Sequence, residues 1–122
     1  MVTQSTGTPL RDLANVIRSK NAGAFLLALD LLFRDEASYR RVRDSGVLTP
    51  SLIAQRYQID ISDVISIISF DPAQAIKITI RRATSTGAPG DTDVYGAQQH
   101  APLLDIPIPP AQAPPSPNAP GQ

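Results

Sequence analysis

VISIISFDPAQAIKITIR, residues 64–81, is the stretch that decides the fold. Its second half alternates, with Ile76, Ile78 and Ile80 apolar and Lys77, Thr79 and Arg81 polar. A period of two places the isoleucines on one face of a strand and the polar set on the other. Its first half, Val64–Phe70, is β-branched and apolar and reads as another strand. Asp71-Pro72 begins the turn between them. Strands joined by so short a connection pair antiparallel. The expectation is an antiparallel sheet with one face buried and the other wet and basic.

Upstream lies AFLLALDLLF, residues 24–33. Read as a strand, it puts Phe25, Leu27, Leu29, Leu31 and Phe33 on one face. Ala24, Leu26, Ala28, Asp30 and Leu32 take the other. Its leucine and alanine content also suits a buried helix. The strand is preferred because a helix signal begins at Arg34-Asp35. Asp35 is a natural N-cap, Glu36 suits the first turn, and Glu36 and Arg40 have the favourable i,i+4 order. Gly46 fits the stop. Thr49-Pro50 opens a second helix, with Leu52, Ile53 and Tyr57 as its apolar stripe. Nearer the start, Leu10, Leu13, Ala14 and Ile17 share a helical stripe. This predicts a short helix ending near Arg18–Ser19, with an extended segment as the alternative. Asn21 and Gly23 in RSKNAG then read as a turn. Leu103–Ile108 reads as a last edge strand, where proline is tolerated.

The order predicts an α+β fold, a ferredoxin-like two-layer sandwich. Its sheet is mostly antiparallel, with two short helices on one face. Residues 1–9 are expected to be a flexible terminus and 10–108 a single α+β domain. Residues 109–122 form a proline-rich tail without charge or bulky apolar side chains, expected to be disordered.

Composition narrows the function. Eleven basic and eleven acidic residues cancel, so neither nucleic acid nor an anionic membrane surface is an expected partner. There is no cysteine, which excludes disulfides, thiolate zinc sites and iron–sulfur clusters. MVTQSTGTPLRDL lacks the basic start and apolar run of a signal peptide, and the longest apolar run, Ala24–Leu29, is too short to span a bilayer. A cytoplasmic location is expected.

Three polar groups carry candidate chemistry. The loop GAPGDTDVYGAQQH, residues 87–100, holds the only histidine. In it His100 is the candidate acid/base, Asp91 or Asp93 its orienter, and Tyr95 and Gln98 further polar contacts. The structural alternative is a polar edge loop satisfied by its own amides. Arg18, Ser19, Lys20 and Asn21 could clamp a carboxylate or phosphate, or be a solvated turn. Lys77, Thr79 and Arg81 could line an anionic ligand, or be the wet side of a strand. The catalytic candidates are therefore His100, Asp91, Asp93 and Tyr95. The ligand-binding candidates are Arg18, Lys20, Asn21, Lys77 and Gln98. No metal site and no cofactor site is identified, and a CoA thioester is the candidate substrate moiety.

VIRSKNAG, YRRVRDSGVLT, FDPAQAIKITI and GDTDVYGAQQHAPLLDI occur in this order. Together they resemble a small uncharacterised bacterial family associated with acyclic terpene utilisation protein A. RSKNAG before a strand, and the LLDIPIP ending, also look like parts of the ferredoxin-fold module of that protein. Lys20-Asn21 departs from the Gly-Asp-Lys order of the module's loop. The resemblance implies a small subunit working with a larger protein of acyl-CoA or terpenoid-acid catabolism. An aliphatic second face on residues 24–33 would need such a partner, or a homo-oligomer, to cover it. The expected function is an accessory subunit that lends the 87–100 loop to a composite site. The alternatives are a stand-alone hydratase, lyase or isomerase on a carboxylate or CoA thioester, and a non-catalytic dimerisation domain.

Overall fold

The structure, a computed structural model, describes residues 7–82 and 100–111. Strand β1, Thr8–Pro9, leads into a one-turn helix α1, Leu10–Leu13. Strands β2, Val16–Gly23, and β3, Leu26–Leu32, follow. Helices α2, Glu36–Ser45, and α3, Pro50–Tyr57, come next. They are succeeded by β4, Val64–Phe70, and β5, Ala75–Arg81. Strand β6, Pro107–Ile108, closes the described chain.

The main sheet has the order β2-β3-β5-β4, and every neighbouring pair in it is antiparallel. The α+β class and the antiparallel sheet are as the sequence predicts. Both helices lie in the single crossover from β3 to β4, and β5 fills the gap that the crossover leaves. A β-α-β-β-α-β order would divide them between two crossovers.

The 64–81 pattern becomes a hairpin in which Ile67 faces Ile78 and Ser69 faces Ile76. Across β3 and β5, Leu27 pairs with Ile80, Leu29 with Ile78 and Leu31 with Ile76, and all six are buried. Tyr39 and Val42 of α2 and Ile53 of α3 join them in one core. That contact places both helices on the same face of the sheet. Phe25 falls outside this core and is half exposed, because Ala24 and Phe25 form the two-residue connection between β2 and β3.

The helix ends follow the expected caps. Asp35 accepts a hydrogen bond from the Ser38 amide at 2.7 Å, and Thr49 Oγ1 accepts one from the Leu52 amide at 3.1 Å. Gly46 takes a left-handed φ of 72°, which costs a glycine little.

The start of the chain differs from the helix expected over residues 10–19. Helix α1 stops after one turn, and Val16–Gly23 is a strand pairing with β3. Ile17 fits a helical stripe and a strand face equally well. Val16 and Ile17 are β-branched, and β3 offers an otherwise unpaired edge, so the extended form wins. RSKNAG is accordingly strand, and the turn lies one step later, at Ala24-Phe25.

Thr8 and Pro9, assigned by sequence to a flexible terminus, pair with Ile108 and Pro107 in a separate two-stranded sheet. The Leu10 amide donates to the Ile106 carbonyl at 2.9 Å and the Arg11 amide to the Leu104 carbonyl at 3.0 Å. Arg41 of α2 donates to the carbonyls of Pro109 and Ile108 and to Thr8 Oγ1, so one guanidinium ties both ends of the domain to a helix. Residues 112–122, most of the expected tail, lie outside the described residues.

Leu29 has no exposed surface. Leu29→Ala is expected to lower the unfolding free energy by about 2–5 kcal/mol, read from a urea titration. Thr49→Ala should cost about 1 kcal/mol through the lost cap, with an unchanged dependence on denaturant.

Candidate functional site: the uncovered face of the sheet

Alternation along the strands divides the sheet into two unlike surfaces. Ile17, Ser19 and Asn21 of β2 share the face of Leu31, Leu29 and Leu27, toward the helices. Val16, Arg18 and Lys20 point the other way, beside Leu32, Asp30 and Ala28. The register carries these rows onward to Ala75, Lys77 and Thr79 of β5. Phe70, Ile68 and Ser66 of β4 complete them. No helix or strand among the described residues covers this second face.

Its chemistry is strongly one-sided. Arg18, Lys20, Lys77 and Arg81 stand on it, against Asp30 as the acid within the strands. Arg18 Nε approaches Asp30 at 3.5 Å, and Arg81 reaches Asp63, just before β4, also at 3.5 Å. Lys20 and Lys77 make no ion pair among the described residues. Four of the eleven basic residues therefore share one surface of a chain with no net charge. Such a surface attracts anionic groups more strongly than the overall charge suggests. One end of the face is apolar: Val16 is 38% exposed, Ile68 54% and Phe70 57%. Leu26 and Leu32 are half-buried and Ala28 is buried, so the aliphatic surface on β3 is smaller than the sequence implied.

Three of the predicted ligand-binding residues, Arg18, Lys20 and Lys77, are thus brought onto one face from strands far apart in sequence. Asn21 is on the opposite face, turned toward the helical layer. Asp91, Asp93, Tyr95 and Gln98 lie outside the described residues. His100 begins the turn Ala101–Leu103, where its carbonyl accepts from the Leu103 amide at 2.9 Å. That turn packs against α3, and Arg56 of α3 binds Asp105 at 2.5 Å. The backbone at His100 therefore belongs to the helical side, with the sheet between it and the cations of the open face. His100 Nδ1 is buried and has no hydrogen-bond partner among the described residues.

A second polar cluster escaped the sequence. The Tyr39 hydroxyl donates to Asp71, which also accepts from Arg43 at 3.1 Å, and the Arg43 guanidinium lies 5.4 Å from the centre of the Tyr39 ring. In the sequence Asp71 signals a turn and stands beside the stripe of Lys77, Thr79, Arg81 and Arg82. Its partners are on another element, and no local pattern signals them. Burial and the neighbouring Asp71 carboxylate push the Tyr39 hydroxyl pKa up. The hydrogen bonds from Tyr39 and Arg43 hold the Asp71 carboxyl below its ordinary value. This triad locks the β4–β5 turn to α2.

Comparison with protein families matches residues 10–107 to a family described as Domain of unknown function (DUF4387). The chain belongs to this family. The match spans the folded elements from α1 to the start of β6 and leaves out β1. Neither the curated proteins nor the solved structures yield a match. Among the described residues of this DUF4387 chain, no group of three or more histidine or acidic side chains gathers as metal ligands would. No helix among them is long and apolar enough to cross a membrane.

The Asp71 triad gives a prediction with a definite sign. A carboxyl whose folded pKa is depressed adds stability above its ordinary value of 3.8, and that stability is lost as pH falls through the depressed value. Asp71→Asn should lower stability at neutral pH and flatten its decline in acid. Urea midpoints measured from neutral pH downward check this, and curves that run parallel for both proteins would contradict it.

Proposed function

We propose that this chain is a small accessory subunit that docks its uncovered sheet face onto a larger protein. In this reading the partner is of the acyclic-terpene-utilisation type and acts on acyl-CoA or carboxylic-acid substrates. The subunit lends it the 87–100 loop for a composite site at the border of the docked face, since the His100 backbone itself lies on the helical side. The observation that carries the reading is the open face: four cations, and an apolar end formed by Val16, Ile68 and Phe70, stand where a covering layer would be expected. A face of that kind is a common mark of a protein interface. The cations suit a partner with an acidic rim, and opposite charge across an interface steers association and selects partners. The four sequence blocks that resemble the family associated with acyclic terpene utilisation point to the same kind of partner.

Lys20 and Lys77 favour a second reading of the same face. With no ion pair among the described residues, they are suited to hold an anionic group, such as the phosphates of a CoA thioester.

The two readings separate by experiment. Lys20→Glu combined with Lys77→Glu should abolish co-purification with the acyclic-terpene-utilisation-type protein, while circular dichroism stays that of the wild type. If the wild-type chain shows no association with that protein, the first reading fails. Calorimetric titration of the isolated chain with CoA tests the second, which requires saturable binding that the double variant loses.

A further inference from the structure

The two edges of the main sheet are built differently. The outer edge of β2 carries Arg18 and Lys20 and is irregular between Asn21 and Gly23. Charge and irregularity are the usual protections against edge-to-edge pairing. The outer edge of β4 has neither along most of its length. Val64–Phe70 holds no charge and no proline, and Ile65, Ile68 and Phe70 are exposed. Its one irregularity lies at the start, between Val64 and Ser66. From Ser66 to Phe70 the strand pairs with β5 in unbroken register. Every second residue of that stretch directs its backbone groups away from the sheet.

We infer that β4 is a homodimerisation edge, pairing antiparallel with β4 of a second copy of the chain about a two-fold axis at Ile67. Self-pairing sets a strict condition: each side chain must tolerate its counterpart in the identical strand. Centred on Ile67, the pairing opposes Ile67 to itself and Ser66 to Ile68 twice. Within Val64–Phe70 there is no charge to meet a like charge. Ile67 already packs against the core, so its copy continues the apolar layer across the seam. At the ends of the strand, Asp63 is paired with Arg81 and Asp71 with Arg43. The two-fold sets Asp63 of one copy opposite Asp71 of the other, and each carboxylate keeps its own arginine as counter-charge. With the axis perpendicular to the sheet, two four-stranded sheets become one of eight strands. The α3 helices, which pack beside β4 in each copy, flank the seam. Both uncovered faces lie on the opposite side, free for the partner proposed above.

The test uses the full chain alone, in light scattering coupled to size exclusion over a range of concentrations. The wild type is expected at twice the 13.0 kDa chain mass. Ile68→Lys adds a charge to an exposed position and should weaken the dimer about tenfold or more. Adding Ser66→Asp to that variant places each lysine opposite an aspartate in this register and should restore the dimer. Circular dichroism confirms folding, and Ser66→Lys replaces Ile68→Lys if the latter unfolds. A wild type that stays monomeric at high micromolar concentration overturns the inference, as does a dimer indifferent to Ile68→Lys. Because no partner is present in the dimer measurement, its outcome is independent of the proposed docking of the open face.

Discussion

The pairing of β3 with β5 is the constraint on which the other elements depend. These strands are the two central members of the sheet, and their register brings Leu27, Leu29 and Leu31 against Ile80, Ile78 and Ile76. Cross-strand aliphatic pairs of this kind stabilise a sheet through the surface they remove from water. A slip of one residue would turn all six side chains to the other face. The same register places Asp30 beside Lys77, so an error would also bury a charged pair without compensation. Helices α2 and α3 then have one surface on which to set Tyr39, Val42 and Ile53.

Among the described residues the sheet is covered on one side, and this imposes a division of labour. The helical side holds the core, the ties between the chain ends, and the backbone of His100. The other side collects side chains that local sequence keeps far apart, with Arg18 and Lys20 separated from Lys77 by both helices and β4. A near-zero net charge thus conceals a basic surface, because Arg41, Arg43 and Arg56 are engaged on the helical side with carbonyls or acids. Exposed surface ion pairs contribute little to stability. The cations of the open face are therefore better understood through what they can bind.

Much of the fold was legible because its signals are local. The period of two in residues 75–81, the Asp35 and Thr49 caps and Gly46 each report on a few neighbouring residues, and each matches its element. The segment from Leu10 to Gly23 was not legible in the same way. Leu10, Leu13, Ala14 and Ile17 keep a helical spacing, Ile17 also fits a strand face, and the choice belonged to the unpaired edge of β3. Thr8 and Pro9 were equally hidden, since a two-residue strand exists only through its partner. For the site, the residue types were visible and their grouping was not. Asn21 follows Lys20 directly, yet alternation sends it to the other face.

By itself the sequence determined the α+β class, the antiparallel hairpin of residues 64–81, the two capped helices and the basic character of one strand face. Those features follow from side-chain periodicity and from residues whose backbone preferences act within a turn. Only the tertiary structure decided that residues 16–23 form a strand, that the cations of β2 and β5 share one surface, and that Asp71 binds Tyr39 and Arg43. It also decided which strands stand at the edges, and so that no described strand pairs with the outer side of the uncharged β4. These depend on pairing between distant segments, where the free energy comes from contacts that no short window of sequence contains.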